Sequence, residues 1–198
     1  MTTVQQFENE IANWFGSPYA VATDCCTHAI ELCLRYKQIK KTSCPTRTYV
    51  SIPMTLEKLG IEWDWYEEDW TSYYYLKDTN IIDAATLWRE NGYIPGTLTC
   101  ISFQFQKHLS LGRGGAILCD DQRDYDNLKK MSYDGRLPDI PWAEQDIDSL
   151  GYHYYMTPET AQLGLNKLPT AIKTQPDIWG HLHYPIVKDM KIFNRTNK

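Results

Sequence analysis

The feature that most constrains the fold is a repeated change of hydrophobic period along the chain. Phe7, Ile11, Trp14 and Phe15 recur at helical spacing and stop at Gly16, a residue suited to the left-handed turn that ends a helix. Tyr19 to Thr23 then reads as a short buried strand, and a second helical pattern runs from Thr27 through Ala29, Ile30, Cys33, Leu34 and Tyr36. A third helix is expected over 49–59, closed by Gly60. Strands are expected over 61–66, 80–84, 97–105 and 116–119. A helix is expected over 120–131, and another starts at Thr157-Pro158, with threonine as cap and proline in the first turn. Short apolar strands alternating with helices imply an α/β fold. No repeat or linker interrupts residues 5–169, and the remaining residues are too few for a core of their own. The expected organisation is one large domain over 1–169 and a short C-terminal extension over 170–198.

Charge and cysteine usage narrow the function class. Lys and Arg number 20 against 25 Asp and Glu, a net charge of −5. A general nucleic-acid surface needs clustered cations, and the one tight basic cluster, Lys37 to Lys41, reads as a solvated helix end. Nothing resembles a secretory leader or the roughly 18 apolar residues of a membrane span, so a cytoplasmic protein is expected. The six cysteines lack CxxC spacing and read as reduced thiols, buried or near a site. His181 and His183 alternate as strand neighbours would, but no third ligand is near, and no metal is expected.

Three constellations could carry chemistry. Ser102 ends a predicted strand, Lys107 follows five residues later, and Gly112-Arg113-Gly114-Gly115 leads into the next strand. A lysine at the mouth of an α/β sheet can form a Schiff base when partial burial lowers its pKa, although such a lysine is more often a solvated loop residue. Asp83 follows apolar strand residues where open sheets bind ligands; it would pair with a cation there or cap a following helix. Asp24-Cys25-Cys26-Thr27 joins a strand to a helix, a natural phosphate site, with Thr27 equally suited to be an N-cap. The glycine-rich turn lacks both the GxGxxG and the P-loop spacing of nucleotide sites. Trp63, Trp65 and Trp70 read as packing or contact residues rather than a sugar platform.

In order and spacing, these pieces resemble the DegT/DnrJ/StrS family of sugar aminotransferases, fold-type I enzymes that use pyridoxal phosphate. The likeness runs over about 7–169. It begins with Phe7-Glu8, Gly16 and Tyr19-Ala20-Val21, then Cys25-Cys26-Thr27, Pro45 and Thr48-Tyr49. It continues with Asp83-Ala84-Ala85, Ser102-Phe103 with Lys107, Gly114-Gly115, and Gly151 to Met156 followed by Ala161-Gln162-Leu163. The resemblance implies a three-layer αβα sandwich with a mostly parallel central sheet.

The same resemblance implies site roles. Lys107 would hold the cofactor as an internal aldimine and move the proton in transamination, and Asp83 would pair with the pyridine nitrogen. Cys26, Thr27 and Ser102 would hold the phosphate, Tyr49 would stack on the ring, and Thr86 stands where the family has a glutamine. His153 stands for the family's asparagine, which reaches a neighbouring subunit's phosphate. The implied activity is amino transfer from a glutamate-like donor to a nucleotide-linked keto sugar, by a homodimer with its site at the interface. The chain is shorter than family members, which continue into a small C-terminal domain. The alternative is therefore a catalytically silent relative that serves as a cofactor-binding or assembly subunit.

Overall fold

Local signals set most element boundaries in the computed structural model, which describes residues 1–193. α1 (Thr3–Phe15) is opened by Thr2 and Gln5 in a reciprocal capping box and closed by Gly16 at φ 70°. β1 (Tyr19–Thr23), α2 (Cys26–Tyr36), β2 (Lys41–Pro45), α3 (Ser51–Leu59) and β3 (Glu62–Tyr66) follow. Next come β4 (Tyr74–Tyr75), β5 (Ile81–Asp83), β6 (Leu98–Ser102), β7 (Gly115–Cys119), α4 (Gln122–Ser132) and α5 (Pro158–Ala171). Asp121 caps α4 and Thr157 caps α5, where Pro158 occupies the first turn as expected.

The main sheet has the order β1-β7-β6-β5-β4, and β2 pairs with β3 in a separate parallel ribbon. β1, β5 and β6 share one direction, while β7 and the two-residue β4 run the other way, so that among the described residues β5–β6 is the one parallel pair of this sheet. β7 is reversed because residues 103–114 return the chain without a crossover helix. β2 is a strand that the sequence pattern does not announce. It begins at Lys41, so the basic cluster is only partly a helix end: Lys41 pairs with Glu62 on β3 at 2.5 Å and Lys37 with Asp124 on α4 at 2.8 Å.

Alternation along the central strands builds two cores. Val21, Cys100, Ile117 and Cys119 pack with α2, α3 and α4 on one face. Ala20, Ala22, Ile101, Ala116 and Leu118 pack with α1 and α5 on the other. The result is three layers, helices on sheet on helices. α5 runs unbroken across position 169, and the segment after it returns to the α2 side, where Val187 and Phe193 are buried. It is held by the Val187 amide donating to the Thr46 carbonyl at 2.8 Å and by a bridge between Thr71 and Gly180. His181 to His183 form a 3-10 turn there, not a strand, because the chain pairs with Thr71 by a single bridge and turns. All six cysteines are free thiols, and among the described residues no helix is long and apolar enough to cross a membrane.

Candidate active site

The C-terminal ends of β1, β5 and β6 lie along one edge of the sheet, where α/β folds commonly bind ligands. The residues that follow them line a cavity of about 220 Å3. After β1, α2 starts at Cys26, with Cys25 at the cap position and no side chain capping the helix. Its first-turn amides are thus available to an anion. Thr27 lies inside that first turn rather than at the cap, with its hydroxyl 2.8 Å from that of Ser51. Gly115 packs against this helix start so closely that a Cβ would stand 2.5 Å from the Cys26 nitrogen. Burial pushes the Cys26 thiol up, and the charge of Asp83 adds to the shift.

After β6, the chain turns so that the Lys107 amide donates to the Gln104 carbonyl at 2.8 Å, while the Ser102 hydroxyl accepts from the Gln104 amide at 3.3 Å. This turn brings Lys107 to the cavity, half-buried, with its ammonium 4.8 Å from the centre of the Trp179 ring. Burial lowers the Lys107 pKa, and Asp83 and Cys26 oppose that shift. A second cavity of about 140 Å3 adjoins across Lys107 and Trp179 and reaches His108 and Asp177.

After β5, Asp83 is 6% exposed, and no helix follows for it to cap. Its carboxylate accepts from the Tyr74 hydroxyl at 2.5 Å and the Ala85 amide at 3.0 Å. Burial raises its pKa; those two hydrogen bonds and the charge of Lys107 act the other way. Tyr49 lies at the cavity rim, 59% exposed, and the Thr86 hydroxyl donates to the Ser72 carbonyl at 3.0 Å.

Cys26, Thr27, Tyr49, Asp83, Thr86, Ser102 and Lys107 therefore line one cavity. His153 does not: it is exposed, bonded to Asp134 at 3.0 Å and to the Tyr155 hydroxyl at 3.2 Å. Its backbone bridges Tyr133 in the loop after α4, which carries the side chain away from the cavity. Trp70, Tyr74, Trp179 and Tyr184 also line the site. Sequence reading treats Trp70 as packing and gives the others no role, since nothing local distinguishes Tyr74 from Tyr73 and Tyr75 or brings the tail to β5. At the rim, Asp24 accepts from Arg113 at 2.8 Å and lies 2.7 Å from His28. An uncapped helix start, a buried carboxylate and a lysine of lowered pKa fit a ligand bearing a phosphate, a protonated ring nitrogen and a carbonyl.

A profile of the DegT/DnrJ/EryC1/StrS aminotransferase family matches residues 2–63 and 89–182. The unmatched stretch contains β4, β5 and Asp83. Among solved structures, AtS13 from Actinomadura melliaura is similar with a TM-score of 0.75 and 18% identity, over 86% of this chain and 60% of that one. A Streptococcus pneumoniae protein described as a sugar aminotransferase, in its PLP form, gives 0.72 and 16%, over 87% and 60%. Helicobacter pylori PseC, an aminotransferase involved in the biosynthesis of pseudoaminic acid, gives 0.71 and 14%, over 86% and 58%. The chain thus spans about 60% of the length of these structures, and at such identities the likeness is one of fold. No curated protein matches.

Proposed function

The chain belongs to the DegT/DnrJ/EryC1/StrS aminotransferase family, and from that premise we propose that it binds pyridoxal 5'-phosphate and transfers an amino group from a glutamate-like donor to a nucleotide-linked keto sugar. The observation that carries this reading is that Lys107 and Asp83 share one cavity at the uncapped start of α2. When bound, the cofactor supplies an electron-withdrawing ring that stabilises negative charge at a substrate carbon.

Each residue contributes a distinct physical effect. The Cys26 and Thr27 amides, with the Thr27 and Ser102 hydroxyls, bind the phosphate. Asp83 accepts from the protonated ring nitrogen, a pairing that offsets the cost of burying its charge. Tyr49, at the cavity rim, would cover the ring face, and Thr86 would border the ring. Lys107 would hold the cofactor at its carbonyl group. Its lowered pKa leaves more of the amine free to attack and then to take and return a proton at Nζ.

The assembly belonging to this reading is a cytoplasmic homodimer with the cavity at its interface. It is supported by His153 lying exposed outside its own cavity and by exposed apolar side chains at Tyr49, Phe105, Trp142 and Leu150. Adding pyridoxal phosphate to the purified chain should produce a visible absorption band that Lys107→Ala abolishes; a wild-type chain without the band overturns the proposal. A second reading, cofactor binding without turnover, is favoured by Lys107 being the only basic side chain among the described cavity-lining residues. A donor carboxylate then finds no other cation among the described residues that line this cavity. Glutamate separates the two, since it bleaches the band of an aminotransferase and leaves that of a silent relative.

A further inference from the structure

β4 is two residues long and pairs antiparallel with β5 in a register that sets Tyr74 directly opposite Asp83. Directly opposed residues project to the same face, so Tyr74 alone of the run Tyr73-Tyr74-Tyr75 can reach that carboxylate. The contact is made at 2.5 Å between side chains that are both buried, and the Tyr74 hydroxyl also meets the hydroxyl of buried Thr48.

Proton accounting gives this chain of hydroxyls a direction. An ionised Asp83 has no proton to give, so Tyr74 donates to it; with that proton committed, Thr48 must donate to the Tyr74 oxygen. The Asp83 carboxylate has about four acceptor positions, of which Tyr74 and the Ala85 amide take two, and Asp83 lines the cavity, so an incoming N–H has a place.

We propose that Tyr74, oriented by Thr48, is a positioning residue that keeps Asp83 ionised and aimed at the cofactor's ring nitrogen. The inference rests on the pyridoxal phosphate reading above, and β4 lies in the stretch that the family match leaves out. The charge that acts on Asp83 is that of Lys107 after β6, while Asp83 in turn raises the pKa of Cys26 on α2, Cys100 on β6, Tyr66 on β3 and Tyr184 in the tail. Lys107 is the one cation among them. Burial pushes the two thiols and two phenols up, so they remain neutral while Asp83 titrates. Tyr74 is thus the neutral side chain that stabilises the charged form by a direct hydrogen bond.

The test uses the full chain labelled with 13C at aspartate carboxyls and no cofactor, with the Asp83 signal assigned by Asp83→Asn. Tyr74→Phe should move the Asp83 titration to higher pH, Thr48→Val should move it less in the same direction, and Tyr75→Phe should leave it in place. With pyridoxal phosphate added, the acid limb of binding should move with it, and affinity at pH 6 should fall about tenfold, the scale of one hydrogen bond to a charged group. A folded Tyr74→Phe chain whose Asp83 titrates as in the wild type overturns the proposal. Should Tyr74→Phe not fold, an unshifted titration in Thr48→Val overturns it instead. A wild-type chain that takes up no pyridoxal phosphate overturns the function proposed above, while the cofactor-free titration still decides the role of Tyr74.

Discussion

On one side of the cavity, α2 and the Gly115 end of β7 meet at backbone-to-backbone distance with no ring between them; on the other, residues 70–74 and 179–184 are joined by backbone hydrogen bonds but face the cavity with aromatic rings. The first side lies within the stretch matched by the family profile, and Gly115 touches the Cys25–Cys26 peptide there. On the second, Trp70 packs on Tyr74 and Tyr184 at ring separations of 5.1 and 5.4 Å, and β4 lies outside the match. A wall of backbone holds an anion through fixed amides and tolerates no added atom. A wall of rings shapes the space and can rearrange. Substitutions on the first side should therefore cost more.

The largest effect is expected from Gly115→Ala. Its Cβ would stand 2.5 Å from the Cys26 nitrogen and 2.6 Å from the Cys25 carbonyl carbon, neither of which can swing aside. We expect about 2–3 kcal/mol of destabilisation, a fall in Tm of roughly 5–10 °C by calorimetry, and loss of cofactor uptake. An unchanged Tm breaks the comparison. Next is Asp83→Asn, on the boundary between the two walls. Removing a buried charge should leave Tm unchanged or raise it, while pyridoxal phosphate affinity falls about 100-fold as an ionic partner is lost. Equilibrium dialysis beside thermal denaturation checks both signs.

The same contrast explains what could be read from the sequence. Helix ends and most strand exits were legible because their causes are local: Gly60 ends α3 at φ 63° and Thr157-Pro158 opens α5, while the strand expected over 97–105 leaves the sheet early, at Ser102, where the chain turns. These signals locate Lys107, Asp83 and the start of α2, and an α/β sheet then brings them to one edge. β2 escaped because Lys41-Thr42-Ser43-Cys44-Pro45 is polar, unalternating and held by partners on β3. Trp179 and Tyr184 escaped because their places depend on a return of the tail to residues more than a hundred positions earlier. His153 was legible as a motif residue, but a motif carries no information on which way its loop faces.

Trp179→Ala sharpens the comparison from the aromatic side. The ring lies 4.8 Å from the Lys107 ammonium and separates the two cavities. Its backbone carbonyl, which accepts from the Ser72 amide at 2.8 Å, survives the substitution. Tm should hold, and cofactor affinity should fall only about threefold to tenfold, the scale of a lost cation–π contact and ring face. A loss as large as that of Asp83→Asn means the ring wall is as unforgiving as the backbone wall.

The smallest effect lies at the rim and is resolved by pH. Burial pulls the His28 pKa down, but hydrogen bonds to Asp24 and Cys25 outweigh it and hold the imidazole at about 9, against 6.5 for the free side chain. A folded-state pKa above the unfolded value means that protonated His28 stabilises the chain fully below pH 6.5, and that this contribution fades as pH rises through about 9. His28→Gln should therefore lower Tm at pH 6 and lower it less at pH 9.5, the residue of the loss being the ring's stacking on Tyr154, with centroids 3.7 Å apart. A Tm gap that is the same at both pH values means stacking alone holds the imidazole and the ion pair with Asp24 contributes nothing. That outcome would place the start of α2 under the control of its backbone neighbours, Gly115 above all.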